Sequence, residues 1–145
     1  MRLLYTFGIK LFGFGIRLAA IGNEKAKQWV DGRKNWKSEL KKLQDLKGCI
    51  WFHCASLGEF EQGRPLLEKI KDKYPIKPIL LTFYSPSGYL VRKNYAYADS
   101  VIYLPLDTPA NAKFFLDTVR PDMAIFVKYE VWHNFFKGIA TRDIP

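Results

Sequence analysis

The sequence predicts an α/β fold built on a parallel sheet, and three observations carry that expectation. From Cys49 onward four short apolar runs, Ile50–Cys54, Pro78–Phe83, Ser100–Leu104 and Met123–Val127, alternate with helical patterns over Phe60–Lys73, Ser87–Tyr97, Pro109–Val119 and Val131–Ala140. That alternation is the signature of successive βαβ units. Each apolar run ends in a turn carrying hydroxyl, glycine or charge. The punctuation agrees: Thr108-Pro109 reads as an N-cap followed by proline at the first helical position, and Arg120-Pro121 closes one helix before the next run.

Length and composition bound the class. A chain of 145 residues with 48% hydrophobic content forms a domain large enough to bury a real core. Cys49 and Cys54 lie five positions apart on or beside an extended run. Their side chains would face opposite ways, roughly 16 Å apart, so they cannot pair without breaking the strand. A reduced, cytoplasmic setting follows. The two histidines and two cysteines show no metal-ligand spacing.

The net charge of +9 is unevenly placed. Residues 1–48 hold 11 Lys/Arg against 4 Asp/Glu, a net of +7, whereas residues 49–145 carry only +2. Residues 3–22 are almost wholly apolar, interrupted by Lys10 and Arg17. The length just suffices for a span, but each interior charge costs about 2.5–3.5 kcal/mol near the bilayer centre. Being seven apart, the two cations share one helical face, which favours a helix lying in the interface or a shallow anchor with snorkelling cations. The basic, tryptophan-bearing segment behind it, with Trp29, Arg33, Lys34, Trp36 and Lys37, suits an anionic membrane surface and keeps the remainder cytoplasmic. The alternative is a helix packed on the domain or on a partner. Nucleic acid is a poor match to so apolar an arm, and neither a Gly-x-Gly-x-x-Gly nor a P-loop motif is present.

The first run delivers the leading candidate for chemistry. Ile50–Cys54 stops at Ala55-Ser56-Leu57-Gly58-Glu59 and a helix follows. Ligands of open α/β sheets bind at the carboxyl edge of the strands, which the N-terminus and partial positive charge of the next helix also face. Glu59 is therefore a candidate general base. The same Ser56-to-Glu59 spacing is also a capping box, and the sequence leaves both readings open. The later turns bring Tyr84-Ser85-Pro86-Ser87-Gly88, Pro105-Leu106-Asp107 and Lys128-Tyr129-Glu130 to the same edge. Two carboxylates from different turns could then face one crevice.

In order along the chain, Gly32-Arg33, Trp51-x-His53-x-x-Ser56-x-Gly58-Glu59, Thr82-x-x-Ser85-x-Ser87-Gly88, Leu104-Pro105-x-Asp107, Arg120-Pro121 and Glu130-x-Trp132-x-Asn134 resemble the motif series of the Kdo transferases, the 3-deoxy-D-manno-octulosonic acid (Kdo) transferases that modify lipid A in Gram-negative bacteria. The match covers residues 28–140. The resemblance implies a GT-B glycosyltransferase of two Rossmann-like domains. Residues 1–22 would be a membrane-associating helix, 23–48 a basic linker and 49–145 the acceptor-binding domain. The approach to a fifth strand at Arg142-Asp143-Ile144-Pro145 implies an N-terminal part of a longer protein, inactive alone, whose donor domain lies beyond.

It also implies transfer of Kdo from CMP-Kdo to a lipid A precursor in lipopolysaccharide core biosynthesis, at the cytoplasmic face of the inner membrane. The anomeric centre would be inverted, with Glu59 as base and with neither a metal nor a resident cofactor. Ser56, Gly58, Arg33, Ser85, Ser87, Gly88, Lys128 and Glu130 would contact the acceptor, whose phosphates suit a basic rim of Arg33, Lys34 and Lys37. Lys128 and His133 depart from the family's carboxylate and proline at those positions, and His53 and His133 read as structural. The competing reading is a non-catalytic, membrane-tethered Rossmann-like module that binds a nucleotide or phospholipid.

Overall fold

The computed structural model describes residues 2–128 and 131–145. Three helices precede the sheet: α1 (Arg2–Ala19), α2 (Glu24–Asp31) and α3 (Trp36–Lys42), followed by a short 3-10 turn at Gln44–Leu46. Asn23 caps α2, its Oδ1 accepting from the Ala26 N–H at 3.0 Å. The alternating body then runs β1 (Ile50–Cys54), α4 (Leu57–Lys73), β2 (Ile79–Phe83), α5 (Pro86–Arg92), β3 (Ser100–Tyr103), α6 (Pro109–Val119), β4 (Met123–Phe126) and α7 (His133–Ala140). All pairings are parallel, in the order β3-β2-β1-β4, with Ile50 opposite both Ile79 and Met123.

The central strands explain their own sequences. β1 and β2 are buried at every position, because helices cover both faces of a parallel sheet and leave no solvent side for polar alternation. One face presents Trp51 and Leu80 to Phe115, Leu116 and Phe135 of α6 and α7, beneath Leu40 of α3. The other presents Phe52, Leu81 and Phe83 to Phe60 and Leu67 of α4. Cys49 belongs to the first cluster and Cys54 to the second, and both are free and buried. Burial raises both thiols, Cys49 to about 12, so neither is a nucleophile.

The boundaries differ from the sequence reading where tertiary contacts intervene. Helix α4 starts at Leu57 rather than Phe60, which puts Gly58 and Glu59 inside its first turn. Helix α5 ends at Arg92, short of Tyr97. Tyr95 leaves the helical path to stand edge-on to Phe60, ring centroids 5.0 Å apart, while its hydroxyl donates to Glu68 at 2.7 Å. Helix α7 begins at His133, not Val131. At the far edge of the sheet, the Ala124 N–H of β4 donates to the Pro145 carbonyl at 2.9 Å.

Helix α1 lies against the body by one face. Tyr5 donates to Asp107 at 2.7 Å and to the Val131 carbonyl at 3.1 Å. Gly13 is buried because a Cβ there would stand 2.5 Å from Leu106 Cδ1. The opposite face carries Leu4, Phe7, Leu11, Phe14, Leu18 and, just past the helix, Ile21, all exposed, from 54% at Leu18 to 87% at Ile21. Their spacing alternates three and four residues, one continuous apolar stripe. Among the described residues no helix is long and apolar enough to cross a membrane.

Candidate functional site

The chain builds outward from β1 through β2 to β3, then returns to the other side of β1 as β4. The strand order therefore reverses between β1 and β4, and open α/β sheets bind ligands beyond the carboxyl ends of the strands at such a switch point. The Ser56–Glu59 turn stands on one side of this switch point and Lys128 on the other. Glu130 lies outside the described residues. The turn after β2 adjoins them, its Ser85 N–H donating to the Ala55 carbonyl at 2.7 Å.

Ser56 and Glu59 do form the capping box. The Ser56 N–H donates to Glu59 Oε2 at 3.0 Å, while Oε1 has no hydrogen-bond partner among the described residues. The carboxylate is half-buried at the N-terminus of a 17-residue helix. The cap therefore uses one carboxylate oxygen and leaves the other without a hydrogen-bond partner among the described residues. Gly58 beside it is exposed, with nothing within 4 Å of where a Cβ would stand.

The second turn is mainly architecture. Ser85 caps α5, its Oγ accepting from the Ser87 N–H at 3.3 Å and lying 2.9 Å from the Ser87 hydroxyl. Gly88 is buried, and a Cβ there would stand 2.2 Å from Phe83 Cδ1, so α5 can approach β2 only with glycine. Gly88→Ala is expected to cost about 1–3 kcal/mol by forcing that approach apart, measured as a lower urea midpoint with an unchanged m-value.

Asp107 corrects one expectation. It is fully buried and faces no crevice. Its carboxylate accepts the Asn134 N–H at 3.1 Å, the Phe135 N–H at 3.0 Å and the Tyr5 hydroxyl at 2.7 Å, and its carbonyl accepts from Asn134 Nδ2 at 2.7 Å. It caps α7 from a distant loop and fastens α1 to the same point. Burial raises its carboxyl above the usual range, against the opposing pull of those donors. Lys128 is exposed with φ of 70°, a left-handed conformation that a lysine adopts only where the surrounding turn imposes it.

Behind the first turn lies a buried polar relay. Trp51 Nε1 donates to Thr82 Oγ1 at 2.9 Å, and that hydroxyl stands 2.8 Å from His53 Nδ1. His53 Nε2 is buried without a partner, beside Trp132 at 5.0 Å between ring centroids. Burial lowers the imidazole to about 3, so it is a neutral structural group, as its place in the strand predicts. A depressed folded-state value means stability that is present above the unfolded value near 6.5 and lost as pH falls towards about 3. The melting temperature is expected to fall through that window, and His53→Phe to reduce the slope, in melts at pH 7, 5.5 and 4.5.

Arg33 sits deeper than a rim residue. It is buried, with Nε donating to the Leu104 carbonyl at 2.9 Å, Nη1 to Trp29 at 3.1 Å and Nη2 to Tyr84 at 2.6 Å. Its guanidinium lies 3.9 Å from the Trp29 ring centroid, 4.8 Å from Tyr84 and 4.7 Å from Tyr103. It thereby ties α2 to the carboxyl ends of β2 and β3. Burial pulls it down to about 9, still cationic at neutral pH. The i,i+4 spacing of Trp29 and Arg33 signalled part of this aromatic box. Tyr84, Tyr103 and the Leu104 carbonyl arrive from distant strands and gave no signal. Among the described residues no group of His, Cys, Asp and Glu could hold a metal ion.

A four-stranded parallel sheet flanked by helices, with its strand order reversing beside β1, defines a Rossmann-like α/β domain, and comparison with known proteins makes the assignment more specific. A sequence model of the 3-deoxy-D-manno-octulosonic-acid transferases (Kdo transferases) matches residues 27–145, and the chain belongs to that family. It is 35% identical over 98 residues to the 3-deoxy-D-manno-octulosonic acid transferase of Haemophilus influenzae, covering 66% of this chain and 23% of that protein. It is 39% identical over 92 residues to the Aquifex aeolicus transferase of the same name, covering 62% and 25%. A bifunctional glycosyltransferase/methyltransferase of Fusobacterium nucleatum is 29% identical over 128 residues, covering 83% and 19%. The chain thus spans a quarter or less of the length of these relatives.

Proposed function

We propose that the chain is the acceptor-binding domain of an inverting GT-B glycosyltransferase that moves Kdo from CMP-Kdo to a lipid A precursor, in lipopolysaccharide core biosynthesis. The observation that carries this is Glu59: a family-motif carboxylate at the switch point, pinned through Oε2 and open at Oε1. As the acceptor hydroxyl oxygen attacks the anomeric carbon, Glu59 takes its proton. The bond from that carbon to the phosphate oxygen breaks, and CMP leaves with the electron pair, so one displacement inverts the centre. CMP-Kdo would be held by a donor domain following residue 145, and the reaction needs no metal or resident cofactor.

Ser56, Gly58, Ser85, Ser87, Lys128 and Glu130 would meet the acceptor from three turns around the crevice, while Gly88 and Arg33 shape it from behind. The outer stripe of α1, flanked by the exposed Lys10 and Arg17, supports a helix lying in the headgroup region at the cytoplasmic face of the inner membrane. An acyl-bearing acceptor and its enzyme would then meet in two dimensions.

Kdo transfer by the full-length protein from CMP-Kdo to a lipid A precursor in mixed micelles tests this reading. No transfer would leave a membrane-tethered binding module. Gly58 supplies a sharper version. Because no neighbour crowds it, Gly58→Ala is expected to leave the fold unchanged or raise stability by up to about 1 kcal/mol, yet to reduce transfer, since its open side is where the acceptor approaches. Undiminished transfer in Gly58→Ala would remove this residue from the site.

A further inference from the structure

The Tyr5 side chain of α1 reaches the segment that leads from β4 into α7. Its hydroxyl donates to the Val131 carbonyl at 3.1 Å and to Asp107 Oδ2 at 2.7 Å. Its ring stands 5.5 Å from the His133 ring, centroid to centroid. The same Asp107 oxygen accepts from the Asn134 N–H, and Oδ1 accepts from the Phe135 N–H. Tyr5 and the first turn of α7 therefore share one buried carboxylate. On the sheet side the segment is fixed again. The Val127 N–H donates to the His53 carbonyl at 3.0 Å, and the buried Trp132 packs edge-on against His53 and Tyr84, at 5.0 and 4.8 Å between ring centroids. Between the anchors at Val127 and Val131 lies Lys128, held with φ of 70°. Such a conformation persists only where its surroundings over-determine it.

Tyr5 differs in kind from two other contacts that α1 makes with the body. Gly13 on Leu106 is apolar, and so is Phe12 edge-on to Trp29 at 6.1 Å between centroids. Apolar contact is non-directional and lets a helix slide, whereas a hydrogen bond fixes both distance and angle. We propose that Tyr5 is a positioning residue: through Asp107 and the Val131 carbonyl, its hydroxyl sets the start of α7 and the turn after β4 against the body. The inference rests on the proposed reading that Lys128 and Glu130 of this turn meet the acceptor, and it makes acceptor binding depend on how α1 is seated. Leu4, beside Tyr5 in the sequence, belongs to the exposed stripe. One helix thus carries the outward apolar face and the inward tie to the acceptor turn.

The test compares the full-length protein with its Tyr5→Phe variant, which keeps the ring beside His133 and removes only the hydroxyl. Both are titrated with a lipid A precursor in mixed micelles, first without CMP-Kdo and then during transfer. Tyr5→Phe is expected to weaken precursor binding about fivefold, the worth of one hydrogen bond. The KM for the precursor should rise by the same factor while the KM for CMP-Kdo stays unchanged. A merely structural role would act otherwise: loss of folded protein lowers kcat and leaves both KM values where they are. Equal precursor affinity in the two proteins overturns the positioning role, as does an equal rise in both KM values. Transfer by wild type with an indistinguishable Tyr5→Phe keeps the enzyme and removes Tyr5 from its site. Precursor binding that depends on Tyr5, with no transfer by wild type, keeps the positioning role and removes the glycosyltransferase reading. Wild type that neither binds the precursor nor transfers Kdo overturns both.

Discussion

Replacing Glu59 by glutamine is expected to leave the protein folded and to cut Kdo transfer by about 10²–10⁴-fold, the range a positioned general base contributes. The substitution is informative because the two roles of this side chain separate cleanly. Glutamine at the third helical position accepts a hydrogen bond from the Ser56 N–H as glutamate does, so the capping box survives. What it cannot do is take a proton. An unchanged melting temperature with transfer lost assigns Glu59 to the chemistry. Transfer close to wild type returns it to helix capping alone. Glu59→Ala completes the set: it removes cap and base together and is expected to cost about 1 kcal/mol of stability as well.

The largest structural effect is expected at Asp107. Asp107→Ala strips the acceptors from the Asn134 N–H, the Phe135 N–H and the Tyr5 hydroxyl, all held by one fully buried carboxylate. Each buried donor left unmet costs about 1–3 kcal/mol, so a loss of about 3–5 kcal/mol is expected, a large share of a typical domain's stability. Asp107→Asn, which keeps one acceptor oxygen, should lose roughly half as much. Tyr5→Phe removes only the tie to α1. Its global stability should fall by about 1 kcal/mol while tryptic cleavage at Lys10 and Arg17 accelerates, because α1 opens locally before the sheet does. Equal cleavage rates in Tyr5→Phe and wild type would mean that the helix is held by Gly13 packing on Leu106 instead.

Much of the body was legible because its elements are locally encoded. β1 and α6 fall on the expected residues, Ile50–Cys54 and Pro109–Val119, since a strand buried on both faces must be an unbroken apolar run and Thr108-Pro109 fixes a helix start. The Ser56–Glu59 turn was legible as a capping box, which the structure forms using one carboxylate oxygen, while a role for Glu59 toward a ligand is the proposal that the glutamine variant tests. Helix α5 was overextended by five residues because nothing local to Arg92–Tyr97 records that Tyr95 is drawn onto Phe60 and Glu68 from another helix.

By itself, the sequence determined the parallel α/β body, the placement of its polar turns at one edge, the segregation of positive charge into the first 48 residues, and the free state of two cysteines that face opposite sides of the sheet. Periodicity, capping and composition act over a few residues and leave their mark there. Only the tertiary structure decided which charged groups of these motifs are buried. Asp107 and Arg33 belong to the same series of motifs as Glu59, yet one is buried as a cap for a helix 27 residues away and the other as a bridge to carbonyls 51 and 71 residues away. Burial of a charge depends on partners brought by the strand order, and no spacing along the chain records that order.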